Sequence, residues 1–591
     1  MKLNRLGPFC LIPEIAAGLI LSIGLSGCTP AQYARQADAV AYGVISYGRE
    51  VVGDPSPSTD YSVSYDPYMA GADGQIVLND KQIPLRAGEA VMLELTDCVE
   101  IALANSRAFQ DRREELYRAA LFLGTSRRDW NWQLVQGQLA GDIFGQRIGN
   151  EGQAGEQLVA TSDSEVSLTR RFAQGGVLAL AATLQVVSDL LGGTDTTVGS
   201  ALSASFTQPL LQGAWRGIAY EAQYRRERDF LFTLFEYDRF TQTFVANVFS
   251  QYWRVLQQRD ELENETENIR RLQQTLELTR VQVRGGQVSP IQQDQAEQNL
   301  LDARIRQQRQ QQAYRDSLDS YKLLLGLPLV ARIRLNYPDA LLELRSMATE
   351  AGQLPPLPLD ETDAVEVALM SRPEVMRSRA ALRDADRNIT LAADEFLPQL
   401  DLQLGLAVPG TEETEFYRLQ PHRSQRTARL EFHYPIDQTA NRNNYRNALI
   451  ALNRAKRQLD LLEDEIALDV RQTYRELLRT SRTYQLQLRS FQIAERRRKL
   501  AVLQQKQGQA SARDVLEAEE ALRNSQNGLT AAIVAYTTTR LRFLATLGMI
   551  GADEEGLIYE RPDPIRFDRL ARRYEYLRQH PPSSPAEDEE G

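Results

Sequence analysis

Apolar positions recur at three-and-four spacing along two very long, proline-free stretches, roughly 213–283 and 439–507. In the second, Leu449, Leu452, Leu459, Leu462, Ile466, Val470, Tyr474 and Leu477 form one stripe, the seam of a coiled-coil-like helix. Helices of that length run about 100 Å at 1.5 Å per residue. Gly286 and Gly508 close them, because glycine readily takes the left-handed conformation at a helix end. Ser289 with Pro290, and Ser511, open returning helices over about 290–325 and 512–547. The two tips are therefore tight helix turns: Gly286-Gln287-Val288-Ser289 and Gly508-Gln509-Ala510-Ser511. A further helix opens at Asp97 and again at Asp363, with Glu100 and Glu366 three residues on in a capping-box-like pair. Its first copy covers about 97–129, and Leu397-Pro398 stops its second. Placed end to end, this helix and the returning one match the long helix in length, which predicts a long helix antiparallel to two stacked short ones in each half.

A different period intervenes. Leu400, Leu402, Leu404, Leu406 and Val408 alternate with Asp401, Gln403, Gly405 and Ala407, and Ala428, Leu430, Phe432 and Tyr434 alternate with Thr427, Arg429, Glu431 and His433. That is a pair of strands with one continuous apolar face, which must be covered by protein or lipid. The first half offers up to four such stretches, near 130–140, 164–173, 177–188 and 199–209.

The chain is duplicated. Thr96-Asp97-Cys98-Val99-Glu100-Ile101-Ala102-Leu103 returns as Thr362-Asp363-Ala364-Val365-Glu366-Val367-Ala368-Leu369. Pro209, Gln212, Ala214 and Arg216 return as Pro435, Gln438, Ala440 and Arg442. The tip motif is followed in both halves by Ala-Glu (Ala296-Glu297, Ala518-Glu519), Leu300 or Leu522, Tyr314 or Tyr536, and Leu-Gly (Leu325-Gly326, Leu547-Gly548). The first half carries roughly 40 residues more between the first two blocks, where the additional strand-like stretches fall. The domain reading is 89–350 for the first repeat, a Pro-rich linker over 351–360 and 361–550 for the second, with a tail over 551–591 whose acidic, Pro-rich end is expected to be disordered.

Composition narrows the function. Hydrophobic residues at 42% and charged residues at 25% describe an ordered protein, and a net charge of −11 argues against a nucleic-acid binder. Three cysteines and three histidines leave little for zinc, haem or disulfide frameworks, so no metal or cofactor is expected. Residues 1–27 have the layout of a signal peptide: Lys2 and Arg5, an apolar stretch from Leu6 to Ile23, then small residues. Leu25-Ser26-Gly27-Cys28 resembles a bacterial lipobox, which implies cleavage before Cys28 and its acylation. Thr29, where inner-membrane retention would want Asp, points to the outer membrane. Residues 28–88 read as an extended leader without strong periodicity, and Cys98 as a small buried residue.

Together the duplicated half, Phe396-Leu397-Pro398-Gln399-Leu400 at strand entry, Gln208-Pro209-Leu210-Leu211 at strand exit, and the Gly-x-x-Ser tip before Asp514-Val515-Leu516-Glu517-Ala518 resemble the outer-membrane efflux proteins, the TolC-like channel-tunnels, over roughly 89–550. The resemblance implies a mainly α fold with β: duplicated long-helix hairpins forming a tunnel, plus strands contributed to a homotrimeric, twelve-stranded outer-membrane β-barrel. It implies a periplasmic adaptor (membrane fusion) protein and an inner-membrane RND or ABC transporter as partners, with outer-membrane lipid around the barrel. It further implies adaptor contact at both tips and a periplasmic gate at Asp514 and Glu517, with Gln292 and Gln295 in the equivalent first-half places. The surplus strand-like sequence in the first half, and the lack of a Leu-Pro entry near Asp129-Trp130, depart from the family pattern.

The alternative reading is a structural coiled-coil lipoprotein of the periplasm that conducts nothing; strand pairs with an apolar face count against it, since a spacer has no use for them. An enzyme is disfavoured: there is no P-loop or zinc-type set, and His422, His433 and His580 lack acids and a nucleophile at usable spacing.

Overall fold

The computed structural model describes residues 30–52, 75–78, 81–84, 90–148, 155–189, 197–336, 359–411, 418–507, 509–552 and 558–560. In chain order the elements are α1 (Pro30–Val52), β1 (Gln75–Leu78), β2 (Lys81–Pro84), β3 (Val91–Leu93), α2 (Leu95–Asn105), α3 (Arg107–Arg128), β4 (Gln133–Ile148), β5 (Gly155–Arg171), β6 (Val177–Asp189) and β7 (Thr197–Pro209). Then follow α4 (Arg216–Ala219), α5 (Glu221–Arg284), α6 (Pro290–Leu324), β8 (Ile333–Leu335), α7 (Glu361–Ser371), α8 (Pro373–Asp394), β9 (Gln399–Pro409) and β10 (Gln425–His433). The chain continues with α9 (Thr439–Lys506), α10 (Ala512–Thr546), β11 (Ile550–Ala552) and β12 (Ile558–Glu560). It divides into two compact units, residues 1–50, 116–230 and 397–434 in one, and 51–115, 231–396 and 435–591 in the other.

The first unit is built on a six-stranded antiparallel sheet of order β10-β9-β7-β6-β5-β4. All four stretches expected in the first half are strands, each longer than its sequence pattern. With β9 and β10 this makes six strands in this one sheet among the described residues, where a twelve-stranded trimer would take four from each chain. The turn between β5 and β6 depends on Gly175: its φ is +88°, and a Cβ there would stand 2.7 Å from the Gly213 carbonyl oxygen. The leader is not wholly extended. Pro30–Val52 forms α1, which buries Ala41, Val44 and Ile45. Tyr117 of α3 donates to Asp38 at 2.5 Å and its ring meets Tyr42 at 5.7 Å. Ala41, Val44 and Ile45 lie three and four apart, so the buried stripe follows the helical period that the extended reading passed over.

The second unit holds the helical hairpins. Ion pairs fix the antiparallel run of α7 and α8 along α9: Glu361 with Arg475 (3.3 Å), Arg372 with Asp469 (2.5 Å) and Arg379 with Glu463 (2.9 Å). Where α10 ends, Arg372 donates to the Thr546 carbonyl at 3.0 Å and Ser371 to the Leu547 carbonyl at 2.6 Å. Two short helices thus abut beside one long one, as the lengths require. The helix expected over 97–129 is broken in two at Ser106, which takes an extended conformation. Its counterpart is Arg372, forced out of the helical region by Pro373. The expected caps also move: Asp97 and Asp363 lie inside the first turn, behind the N-caps Glu94 and Asp360, and the Asp97 carboxylate accepts the Glu94 N–H at 2.8 Å. Cys98 is fully buried.

Candidate functional site: a membrane wall and two helical tips

Register decides what each face of the sheet carries. Leu430 pairs with Leu402, Phe432 with Leu400, Phe206 with Leu404, Leu202 with Val408, Leu178 with Phe206, and Leu168 with Leu180. One face is therefore mainly apolar across the strands from β10 to β5, with Arg426 and Arg170 near its ends and Ser162, Ser164, Ser200 and Gln208 among its polar exceptions. The opposite face carries Arg429, Glu431, Gln403, Asp401, Ser203, Ser205, Thr183, Gln185, Glu165 and Asp163 in matching register. On the apolar face Phe432 is 64% exposed, Leu430 62%, Leu202 45% and Leu404 43%. A contiguous, uncovered apolar sheet face backed by a polar one is the inside-out pattern of a barrel wall in lipid.

The sheet's lower end, where β4 and β6 begin and β5 and β7 end, collects aromatic groups. Trp130, Trp132 and Trp215, three of the chain's four tryptophans, lie there. Trp130 packs edge-on against Tyr220 at 4.5 Å, Arg170 lies over Trp132 at 5.7 Å and over Phe172 at 5.5 Å, and Trp215 is 69% exposed. Burial, reinforced by Glu227, pushes the Tyr220 hydroxyl up to about 12. Amphipathic rings with adjacent arginines match the aromatic girdle of a membrane interface. The sequence reading missed this girdle, although the clustering of tryptophan between 130 and 215 signals it.

Among the described residues no helix is long and apolar enough to cross a membrane, and no group of three His, Cys, Asp or Glu could hold a metal ion.

At the first tip, Gly286 has φ +65°, and the Gln287 N–H returns to the Gln282 carbonyl at 2.9 Å, closing α5. Val288 is half-buried and Ser289 is the N-cap of α6, with Pro290 at its first turn. At the second, the Gln509 N–H returns to the Gln504 carbonyl at 2.8 Å, Ala510 is half-buried and Ser511 caps α10. Gly508 and Cys28 lie outside the described residues, as do the Leu354–Pro358 cluster and residues 561–591. Exposed Asp514 closes a capping box: its carboxylate accepts the Ser511 N–H at 2.9 Å and hydroxyl at 2.7 Å, which holds its pKa below the usual carboxylate range. Glu517 pairs with Arg513 at 3.0 Å and Arg497 at 3.8 Å. Both acids are thus brought to one helix start, but each already has a partner there.

A second network, not anticipated from sequence, joins the two hairpins above the tips. Asp260 accepts from Thr530 (2.6 Å), Asn264 donates to Asn527 (2.9 Å), Glu265 pairs with Arg523 (3.4 Å) and Arg306 (3.3 Å), and Glu519 pairs with Arg271 (2.6 Å) and Arg498 (2.8 Å). Glu265 and Glu519 are almost wholly buried. As numbers rise along α5 they fall along α10, so the two helices run antiparallel through a polar ladder.

The fold thus combines a sheet with one uncovered apolar face, aromatic residues at one end of that sheet, and duplicated helical hairpins. Residues 364–549 match the family described as Outer membrane efflux protein, so the second repeat carries that domain. The fold is shared with CusC (18% identity over 83% of this chain and 99% of that one, TM-score 0.55). It is shared also with CmeC of Campylobacter jejuni (13%, 88% and 98%, 0.56) and with VceC of Vibrio cholerae (13%, 77% and 96%, 0.54). No curated protein sequence matches the chain.

Proposed function

We propose that this chain is one protomer of an outer-membrane channel-tunnel, the passive exit duct of a tripartite efflux pump or a type I secretion system. The observation that carries this reading is the six-stranded sheet, apolar and uncovered on one face and polar on the other. A periplasmic spacer would leave that face in water, at a large cost in hydrophobic free energy. Energy comes from an inner-membrane RND or ABC transporter, reached through a periplasmic adaptor. CmeC, like this chain, has the fold, and is itself described as an outer membrane channel. In planar bilayers the detergent-purified protein forms ion channels as a homotrimer; a monomer by light scattering that conducts nothing returns the spacer reading.

The finer assignments belong to the same proposal. Cys28 is the acylated mature N-terminus, supporting the outer-membrane location; mass spectrometry that finds an unmodified peptide across Gly27-Cys28 removes the anchor alone. The tips Gly286–Ser289 and Gly508–Ser511 meet the adaptor, so bulky substitutions at Gln287 and Gln509 abolish export and leave the assembly intact. Asp514 and Glu517 line the periplasmic gate with Arg513 and Arg497 beside them. Asp514→Asn with Glu517→Gln removes the acids and keeps the arginines, so single-channel selectivity shifts toward anions. Unchanged selectivity would place the gate elsewhere.

A further inference from the structure

The sheet of the first unit ends in two open edges, β4 on one side and β10 on the other. Each of its six strands is nine residues or longer, which is enough for a tilted strand to cross the hydrocarbon of a bilayer. The hairpin β4–β5 is not folded away from the others: β5 pairs with β6 in unbroken register from Val159↔Asp189 to Arg171↔Val177. Its alternation also continues theirs. Val166 and Leu168 stand on the apolar face opposite Ala182 and Leu180, joined there by the small Ser162 and Ser164 opposite Val186 and Leu184 and by Arg170 at the aromatic end, while Asp163 and Glu165 stand on the polar face opposite Gln185 and Thr183. Leu134, at the foot of β4, is paired with Leu168 and 65% exposed. A plug inside the lumen would have no reason to keep an apolar side in phase with a lipid-facing wall.

An open edge cannot stay in lipid, where its N–H and C=O groups find no partner. All neighbouring strands in the sheet are antiparallel, so with six strands the two edge strands run in opposite directions. The β4 edge of one copy can therefore meet the β10 edge of the next as one more antiparallel pair, and rotation closes the ring without changing the pattern.

Resting on the channel reading above, we infer that the occupant of each edge is a second copy of this chain, joined β4 to β10, and that the trimer's membrane barrel has eighteen strands, six from each of three copies. That is a porin-sized wall, wide enough for an aqueous channel, with a diameter roughly half again that of a twelve-stranded barrel.

Cysteine cross-linking in outer-membrane preparations tests the seam. In a Cys98→Ala background, Gln133→Cys is combined in turn with Thr427→Cys, Arg429→Cys, Glu431→Cys or His433→Cys, all on the polar face. The expected result is disulfide-linked dimers and trimers for one of these pairings. Ala181→Cys on β6, combined with the same four positions, stays unlinked. The opposite pattern, β6 linking to β10 and β4 not, would leave a twelve-stranded wall with β4–β5 outside it and overturn the inference while the channel stands. If no pair links, electron microscopy of the trimer in nanodiscs decides by barrel width: a twelve-strand cross-section overturns the inference and an eighteen-strand one upholds it. A protein that is monomeric and forms no channel fails the function reading itself.

Discussion

Glu297 and Glu519 occupy the same place in the two repeats, each following a fully buried alanine and each three residues before a buried leucine. Their surroundings are opposite. Glu297 is 49% exposed and reaches Arg280 at 3.8 Å, whereas Glu519 is 2% exposed and held by Arg271 and Arg498. The difference lies in the neighbours of the helix. Along α6 the buried residues are Ala296, Leu300, Ala303, Tyr321 and Lys322, a narrow stripe, while α10 is buried along much of its length because α9 and α5 flank it. Duplication copied the sequence, and position in the helical layer decided which copy became a buried ion cluster.

Removing the carboxylate sharpens that comparison most. Glu519→Gln leaves two arginines without their shared partner in a protected site, and breaking a buried pair costs about 3–5 kcal/mol. Glu297→Gln acts on an exposed pair and costs about 0–1 kcal/mol. Denaturant unfolding of the two variants measures the gap, and equal losses would mean that the cluster is wet.

The paired glycines after the returning helices give a smaller contrast. Gly326 and Gly548 have φ of +75° and +69°, and alanine in that left-handed conformation costs about 1–2 kcal/mol. At Gly326 the added Cβ would also stand 2.1 Å from the Asn105 carbonyl oxygen, whereas at Gly548 its nearest neighbour is the Ser371 hydroxyl at 3.2 Å. Gly326→Ala should therefore lower the melting temperature more than Gly548→Ala. A reversed order would show that the α2–α3 break yields more readily than its counterpart.

The caps differ least. Ser511 takes part in a capping box and Ser289 makes no side-chain cap bond, so Ser511→Ala costs about 1 kcal/mol and Ser289→Ala less. Asp514 adds a pH signature. The Ser511 hydroxyl and backbone N–H hold its carboxyl below the ordinary range, so its contribution is complete above the unfolded carboxylate pKa, about 4. That contribution is lost as pH falls through the lower folded value. The gap between the wild-type chain and Ser511→Ala should accordingly narrow only below about pH 4. A gap that persists there, in unfolding followed by circular dichroism, would mean that Asp514 does not stabilise this helix start.

Much of this architecture is legible in the sequence because it is local or periodic. Gly286, Ser289 and Ser511 carry the turn chemistry of the tips, the three-and-four stripe marks the long helices, and the two-residue period of Leu400–Val408 marks a strand with one apolar face. The break at Arg372 was also legible in Pro373, which restricts its predecessor; no such mark stands after Ser106, and there the close approach of Gly326 accompanies the break. Only tertiary structure could decide the remainder. That α1 packs against α3, through Asp38 with Tyr117 and Tyr42 with Tyr117, joins segments far apart in the chain. Whether an acid is buried or solvated depends on which helices flank it, and identical motifs at Glu297 and Glu519 hold no record of that. The strand count is decided in the same way: alternation reveals a strand, but membership of one wall comes from backbone pairing between β5 and β6, a relation between segments rather than a property of either one.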